Sequence, residues 1–310
     1  MHFPECWHLV GLLHCRPCLH PSGNTAMPSL QLNGITLTYQ QHGTQGPAVV
    51  LTPGGRWAGH VHAVVASELA QDCRVITWDR RNTDGGSSLA LAGEQSEADL
   101  HADDLAALIQ ALDLGPCFVG EYAGCRTSPL LAFKYPQLVR GLMLAWPSGE
   151  DYAAERLPRN AYRKYIRAAL RGGMEAVAQI TPFAETLQHN PANRELLLSM
   201  SVRDFVRQMA WWEVFFTTSG DLPVAGCRLN EHEWSQITAP ACITGGCDPV
   251  HPTSVAERLR GLLDCRLYHE PVMTRAEWDD VFDNNPYPVT SRVQGARIAP
   301  VWRRFIQESL

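Results

Sequence analysis

From Met27 onward, short apolar runs alternate with stretches of helical period. Leu30, Leu32, Ile35, Leu37 and Tyr39 recur at every second position on either side of Asn33-Gly34. Period-two alternation about Asn-Gly predicts a tight antiparallel hairpin. Ala48–Thr52, Arg74–Trp78, Cys117–Gly120, Gly141–Trp146, Ala241–Thr244 and Cys265–Tyr268 are instead nearly continuous apolar runs. Strands covered by helices on both faces read this way, and they belong to parallel sheets. Leu100, Leu105, Leu108, Ile109 and Leu112 mark the clearest helix between strands, with Asp99, Asp103 and Asp104 in its first turns. The alternation predicts an α/β fold with a doubly wound, mostly parallel sheet opened by the hairpin. Between about Glu150 and Ile237 the strand signal lapses and the chain turns helical and aromatic. The expected organisation is therefore a core of residues 27–149 and 238–310, with residues 150–237 inserted between two strands as a helical lid.

Composition narrows the partners. The 310 residues are 45% apolar and 19% charged, enough for a large core and too ordered a mixture for a disordered chain. No apolar run approaches the ~18 residues of a membrane helix. The net charge of -6 argues against a nucleic-acid groove or an anionic membrane. A small-molecule or peptide-like ligand is expected, with no nucleic acid and no membrane partner. The ten cysteines are scattered, and Cys117, Cys242 and Cys265 fall in apolar strands, which predicts reduced thiols and a cytoplasmic setting. Residues 1–26 read as an unstructured extension, with Met27 as an alternative start. Trp7–Leu13 lacks the basic flank and cleavage site of a signal peptide. The nearby Cys6, His8, His14, Cys15, Cys18 and His20 lack the second short pair of a structural zinc site. No metal or cofactor is expected.

In an open α/β sheet the residues just beyond the strands carry the chemistry. Four such segments stand out: Pro53-Gly54-Gly55-Arg56-Trp57, Asp79 to Ser88, Glu121-Tyr122-Ala123-Gly124, and Gly245 to Pro252. Taken in order, with Tyr135-Pro136-Gln137-Leu138-Val139-Arg140-Gly141 before a strand, they resemble the α/β-hydrolase family from about Met27 to the C-terminus. In that family a Gly-x-Ser-x-Gly elbow holds the nucleophile on a strained turn. Here the spacing survives as Gly120-Glu121-Tyr122-Ala123-Gly124, with Tyr122 in the nucleophile position.

The resemblance implies a site built from Tyr122, Asp248 and His269. Tyr122 is expected at positive φ on the floor of a cleft, as a wall, hydrogen-bond donor or acid/base group. Asp248 stands at the family's acid position, or else caps the helix starting near Pro252. No Gly-His follows the last strand, so His269 is the candidate displaced base and His251 the runner-up. Gly55 and Ala123 match the backbone donors of an oxyanion hole. Glu121 reads as a buried base or as the partner of an arginine. Trp57 and one or two of Trp211, Trp212, Phe215 and Phe216 are expected to contact the ligand.

Loss of the serine and histidine implies an atypical branch that includes the peptide aspartate epimerase of bottromycin biosynthesis, where a bulky residue also replaces the nucleophile. The implied activity is non-hydrolytic, of epimerase, isomerase, cyclase or lyase type, in specialised metabolism. The alternatives are a non-catalytic binding protein and a hydrolase using Tyr122 or Ser88 with His269.

Overall fold

The sheet opens at the Asn33-Gly34 turn. Both residues are left-handed, with φ of 49° and 75°, the conformation that lets a two-residue loop follow the strand twist. The turn joins β1 (Ser29–Leu32) to β2 (Ile35–His42) in antiparallel register, Leu32 opposite Ile35. The computed structural model describes residues 27–217, 222–284 and 287–310. The expected extension and its Cys/His cluster lie outside these residues.

The apolar runs form β3 (Ala48–Thr52), β4 (Arg74–Trp78), β5 (Cys117–Gly124), β6 (Val139–Pro147), β7 (Ala241–Thr244) and β8 (Cys265–His269). They make one eight-stranded sheet in the order β1-β2-β4-β3-β5-β6-β7-β8. All pairings beyond the β2–β4 pair are parallel.

The helices in chain order begin with α1 (Ala63–Leu69), α2 (Glu97–Ala111) and α3 (Thr127–Lys134). Between β6 and β7 lie α4 (Glu150–Pro158), α5 (Lys164–Ala178), α6 (Phe183–His189), α7 (Ala192–Ser199), α8 (Val202–Thr217) and α9 (Glu231–Ser235). The chain ends with α10 (Thr253–Leu262), α11 (Arg275–Asn284) and α12 (Tyr287–Glu308). One face of the sheet packs on α2, α3, α9 and α10, with Leu105, Leu108, Leu130, Trp234 and Leu259 wholly buried. The other face packs on α1, α11 and α12 through Val65, Leu69, Trp278, Trp302 and Phe305. Of the helices inserted before β7, α4 to α8 share a separate apolar core around Tyr165, Phe183, Phe205, Met209 and Trp212, closed against Leu89 and Leu91.

The polar run after β4 is structural. Asp79 accepts hydrogen bonds from the Gly59 and Gly86 amides at 2.9 Å each and from the Thr38 hydroxyl at 2.8 Å. Arg81 and Asp104 form a buried two-pronged pair, both contacts 2.7 Å. Buried charges are tolerated when they are paired in this way. The seven described cysteines are all free thiols. None of the described helices is long and apolar enough to cross a membrane.

Candidate functional site

The connections reverse direction between β3 and β5, and a crevice is expected at such a switch point. There the structure holds a cavity of about 370 Å³. Its floor comes from Gly55, Arg56 and Trp57 after β3, Arg80 after β4, Glu97 and His101 on α2, and Glu121 and Arg126 around the end of β5. Its roof comes from Tyr162, Tyr165, Trp212, Phe215 and Phe216 of the inserted helices.

Arg56 meets Glu97 in a two-pronged pair at 2.9 Å each, and Glu97 also accepts from Tyr162 at 3.1 Å and Asn82 at 3.0 Å. Burial works against the Arg56 charge, but Glu97 more than offsets it and the pKa is raised. Burial, with Glu97 second, drives the Tyr162 phenol well above its ordinary range.

Arg80 is held differently. Its Nη2 donates to the carbonyls of Gly54, Gly55 and Trp57 at 3.1, 2.7 and 3.4 Å, and its buried Nε has no partner. Burial lowers its pKa to about 10, so the guanidinium stays charged at neutral pH. His101 Nε2 donates to the Arg81 carbonyl at 3.2 Å, a role that fixes the tautomer and leaves the Nδ1 lone pair 3.5 Å from Arg80 Nη1. Burial first, and then the surrounding arginines, hold His101 neutral.

Arg126 donates to the Ala225 carbonyl at 2.6 Å and to Ser148 Oγ at 2.7 Å, and lies over the Phe216 ring at 5.0 Å. Among the described residues, neither Arg80 nor Arg126 forms a salt bridge with a carboxylate. Among the described residues Glu121 forms no salt bridge with an arginine, contrary to one of the two expectations, although its charge favours the charged forms of Arg80 and Arg126. Its oxygens accept the amides of Arg126, Thr127 and Ser128 at 2.9, 3.2 and 2.7 Å, capping α3 where the helix dipole favours a carboxylate. Glu121→Gln, which removes that charge, is expected to lower the unfolding free energy by about 1–2 kcal/mol in urea titration; an unchanged midpoint would show that the cap is not needed.

Of the residues expected at the site, Gly55, Trp57, Glu121, Trp212 and Phe215 line the cavity. Tyr122, Ala123, Trp211, Asp248, His251 and His269 do not. Tyr122 is the main correction. It remains in the ladder of β5 opposite Ala145, and the left-handed residues are Ala123, Gly124 and Cys125, with φ of 60°, 141° and 57°. Side chains alternate along a strand. Glu121 therefore faces the α3 side while Tyr122 turns into the layer under α1 and α12. There it is wholly buried, donates to the Val61 carbonyl at 2.9 Å and stacks 4.2 Å from His62. A phenol ring gains far more from that apolar layer than a serine would. Gly54 lets the turn after β3 approach the elbow, since a Cβ there would stand 2.1 Å from the Ala123 carbonyl oxygen. That turn gives its carbonyls to Arg80, whereas the sequence suggested that it would offer amides to an oxyanion.

Asp248 does not cap α10, whose first turn has no side-chain cap. Its carboxylate accepts from His251 Nδ1 at 2.7 Å and from the Val250 amide at 2.8 Å. Burial opposes its charge, but the His251 hydrogen bond and the loop amides outweigh burial and lower its pKa. Ring contacts at 5.3, 5.9 and 5.8 Å run from Tyr122 through Trp146 and Trp278 to His251, so aromatic packing occupies the route between the elbow and the acid loop. His269 lies at the end of β8, its Nδ1 2.5 Å from the Glu270 carbonyl. Trp211 is 44% exposed, with its indole N–H on the Glu94 carbonyl.

The sequence reading missed Arg56, Arg80, Glu97, His101, Arg126, Tyr162 and Tyr165. One signal was available for Arg126. It stands at the start of a helix, where the macrodipole disfavours a cation, so something other than helix stability holds it there.

The fold is the α/β-hydrolase fold. The enol-lactonase of Burkholderia xenovorans LB400 superposes with a TM-score of 0.55 over 87% of this chain and 99% of its own, at 17% identity. A thermophilic esterase of Thermogutta terrifontis gives a TM-score of 0.57 over 89% and 94%, at 20% identity. In sequence, the hydrolase YraK of Bacillus subtilis (strain 168) is 31% identical over 112 residues. That match spans 36% of this chain and 41% of YraK. No family model matches the chain.

Proposed function

We propose that the chain is an α/β-hydrolase-fold enzyme that works without a serine nucleophile, acting as an isomerase, epimerase, cyclase or lyase on a small-molecule or peptide-like substrate held between sheet and lid. The orientation of Tyr122 carries this reading. The residue in the nucleophile position points away from the cavity into a packed layer, and the acid-position Asp248 is engaged by a histidine of its own loop. The cavity in turn offers fixed positive charge. Arg80 and Arg126 would stabilise negative charge developing on a substrate oxygen, as in enolate formation, and His101 Nδ1, a neutral nitrogen beside them, would act as a base only on release of the bond it accepts from Arg80 Nη1. Specialised metabolism is the setting this chemistry suits.

A second reading, binding without turnover, is favoured by a specific observation. His101 is held well below neutrality, while Tyr162 and Tyr165 are pushed up, chiefly by burial. An acid/base catalyst works best with a pKa near the working pH. The two readings part on the fate of the ligand: an enzyme at sub-stoichiometric concentration converts it, and a binding protein returns it unchanged in mass spectrometry.

Both readings predict that a fluorophosphonate probe will not label the protein and that p-nitrophenyl acetate will not be turned over above the buffer rate. Stoichiometric labelling, mapped by peptide mass to Ser88 or Tyr122, would overturn both and establish a rearranged hydrolase.

A further inference from the structure

The chain as a whole carries a net charge of -6, yet its central cavity is cationic. Arg56, Arg80, Arg126 and Lys164 line it against Glu97 and Glu121. Both carboxylates are already engaged, Glu97 by the Arg56 fork and Glu121 by three amides of α3. Lys164 donates to the Thr181 carbonyl and His101 is neutral. The excess charge therefore resides on Arg80, Arg126 and Lys164, with Arg80 and Arg126 in the cavity floor. Arg80 is only 5% exposed, and its Nε is buried without a partner. Glu121 is the strongest favourable charge on both Arg80 and Arg126, yet neither guanidinium meets a carboxylate in a salt bridge, and a buried guanidinium so held is costly and gains from an anion supplied by a ligand.

We propose that the cavity receives an organic carboxylate, its anionic group set at Arg80 and Arg126 and its apolar body against Tyr162, Trp212 and Phe216. Nε and Nη2 of Arg126 are taken by Ala225 and Ser148, which leaves Nη1 to make a charge-assisted bond to a carboxylate oxygen. The cavity's four cations exceed its two carboxylates by two charges, so charge alone favours an anion, and the apolar lining selects one that carries an apolar body. The aromatic roof then covers an apolar or aromatic body, and Phe216 already lies against the Arg126 guanidinium. The acidic exterior repels anions at long range, so the cavity's own field selects the ligand at close quarters. This inference rests on the proposed function only in treating the bound acid as a substrate.

The test uses the full chain with 3-phenylpropionate, its uncharged amide 3-phenylpropionamide, and inorganic phosphate, following the fluorescence of Trp57 and Trp212. The acid is expected to bind about tenfold or more tightly than the amide, and phosphate at equal concentration is expected not to displace it. Arg126→Gln should weaken the acid about tenfold and leave the amide unchanged. Arg80 also holds the turn after β3, so Arg80→Lys, which retains charge but not the fork, serves as the second variant and should weaken the acid selectively. Equal affinities for acid and amide, displacement by phosphate, or no saturable binding of the acid at millimolar concentration would each overturn the proposal. Fluorophosphonate labelling with acid preference intact would refute the non-hydrolytic reading alone. Absence of acid preference without labelling would refute the carboxylate alone.

Discussion

Tyr122→Ala is expected to lower the unfolding free energy by about 3–5 kcal/mol, the usual cost of removing a buried aromatic ring. The ring is wholly buried against His62, Trp146 and Trp302, at centroid distances of 4.2, 5.3 and 6.2 Å. The layer between the sheet and α12 cannot close over so large a gap without moving those side chains. Tyr122→Phe keeps the ring and loses the bond to the Val61 carbonyl, a change worth about 1 kcal/mol. Tyr122→Ser restores the residue type the elbow of this fold family carries, and it is expected to create no esterase. Its Oγ would face the α12 layer, and Asp248 would still be held by His251. Urea unfolding of the three variants, with 3-phenylpropionate titrated into each folded protein, checks the assignment. A stable Tyr122→Ala protein that had lost acid binding would return Tyr122 to the cavity. Fluorophosphonate labelling of Tyr122→Ser would show that the elbow still points a nucleophile at substrate.

The same alternation explains what could be seen in the sequence. The hairpin was legible because Asn33 and Gly34 together tolerate two left-handed residues, a demand few dipeptides meet. β3, β4 and β7 were legible to their ends because almost every residue is buried and the runs are mostly apolar. β5 was expected to stop at Gly120 and runs on to Gly124. Its last residues read as polar, whereas each has its own interior to face, Glu121 the amides of α3 and Tyr122 the α12 layer. The order of strands and turns thus located the crevice. Motif spacing could not show which way a side chain leaves the strand, and that is where the reading of Tyr122 failed. Arg80 was illegible for a different reason. Arg80 is held by carbonyls of the turn after β3, more than twenty residues earlier, and backbone acceptors leave no mark in a sequence. Asp248 was visible as a carboxylate in the right loop, but its engagement by His251 depends on a turn that brings the two together.

Acid should destabilise this fold well before its carboxylates are protonated. Burial drives the His62 pKa down from 6.5 to about 3, with Arg80 and His60 acting in the same direction. His101 is likewise held well below 6.5 by burial and by Arg80, Arg81 and Arg56. In the unfolded chain each imidazole takes up a proton near pH 6.5, whereas the native protein refuses it. The unfolded state therefore binds more protons below pH 6.5, and stability falls as pH falls. For His62 the contribution is complete above pH 6.5 and is lost by about 1.4 kcal/mol per pH unit down to about pH 3; His101 acts in the same direction. Between pH 7.5 and 5.0 His62 should remove about 2 kcal/mol from the unfolding free energy, and His101 and His42, also lowered by burial, add to the loss in the same direction. Asp84 works against this trend at the acid end, because burial raises its pKa and its native-state protonation is correspondingly favoured. The window above pH 5.0 keeps that opposing contribution small. Urea titrations across the window give the slope, and His101→Asn should reduce it. A direct check needs no variant. In proton NMR of the folded protein, the imidazole signals of His62 and His101 should not shift between pH 7.5 and 5.0. If every histidine titrates near 6.5, water reaches both rings, and Tyr122, which stacks on His62, is not sealed beneath α12.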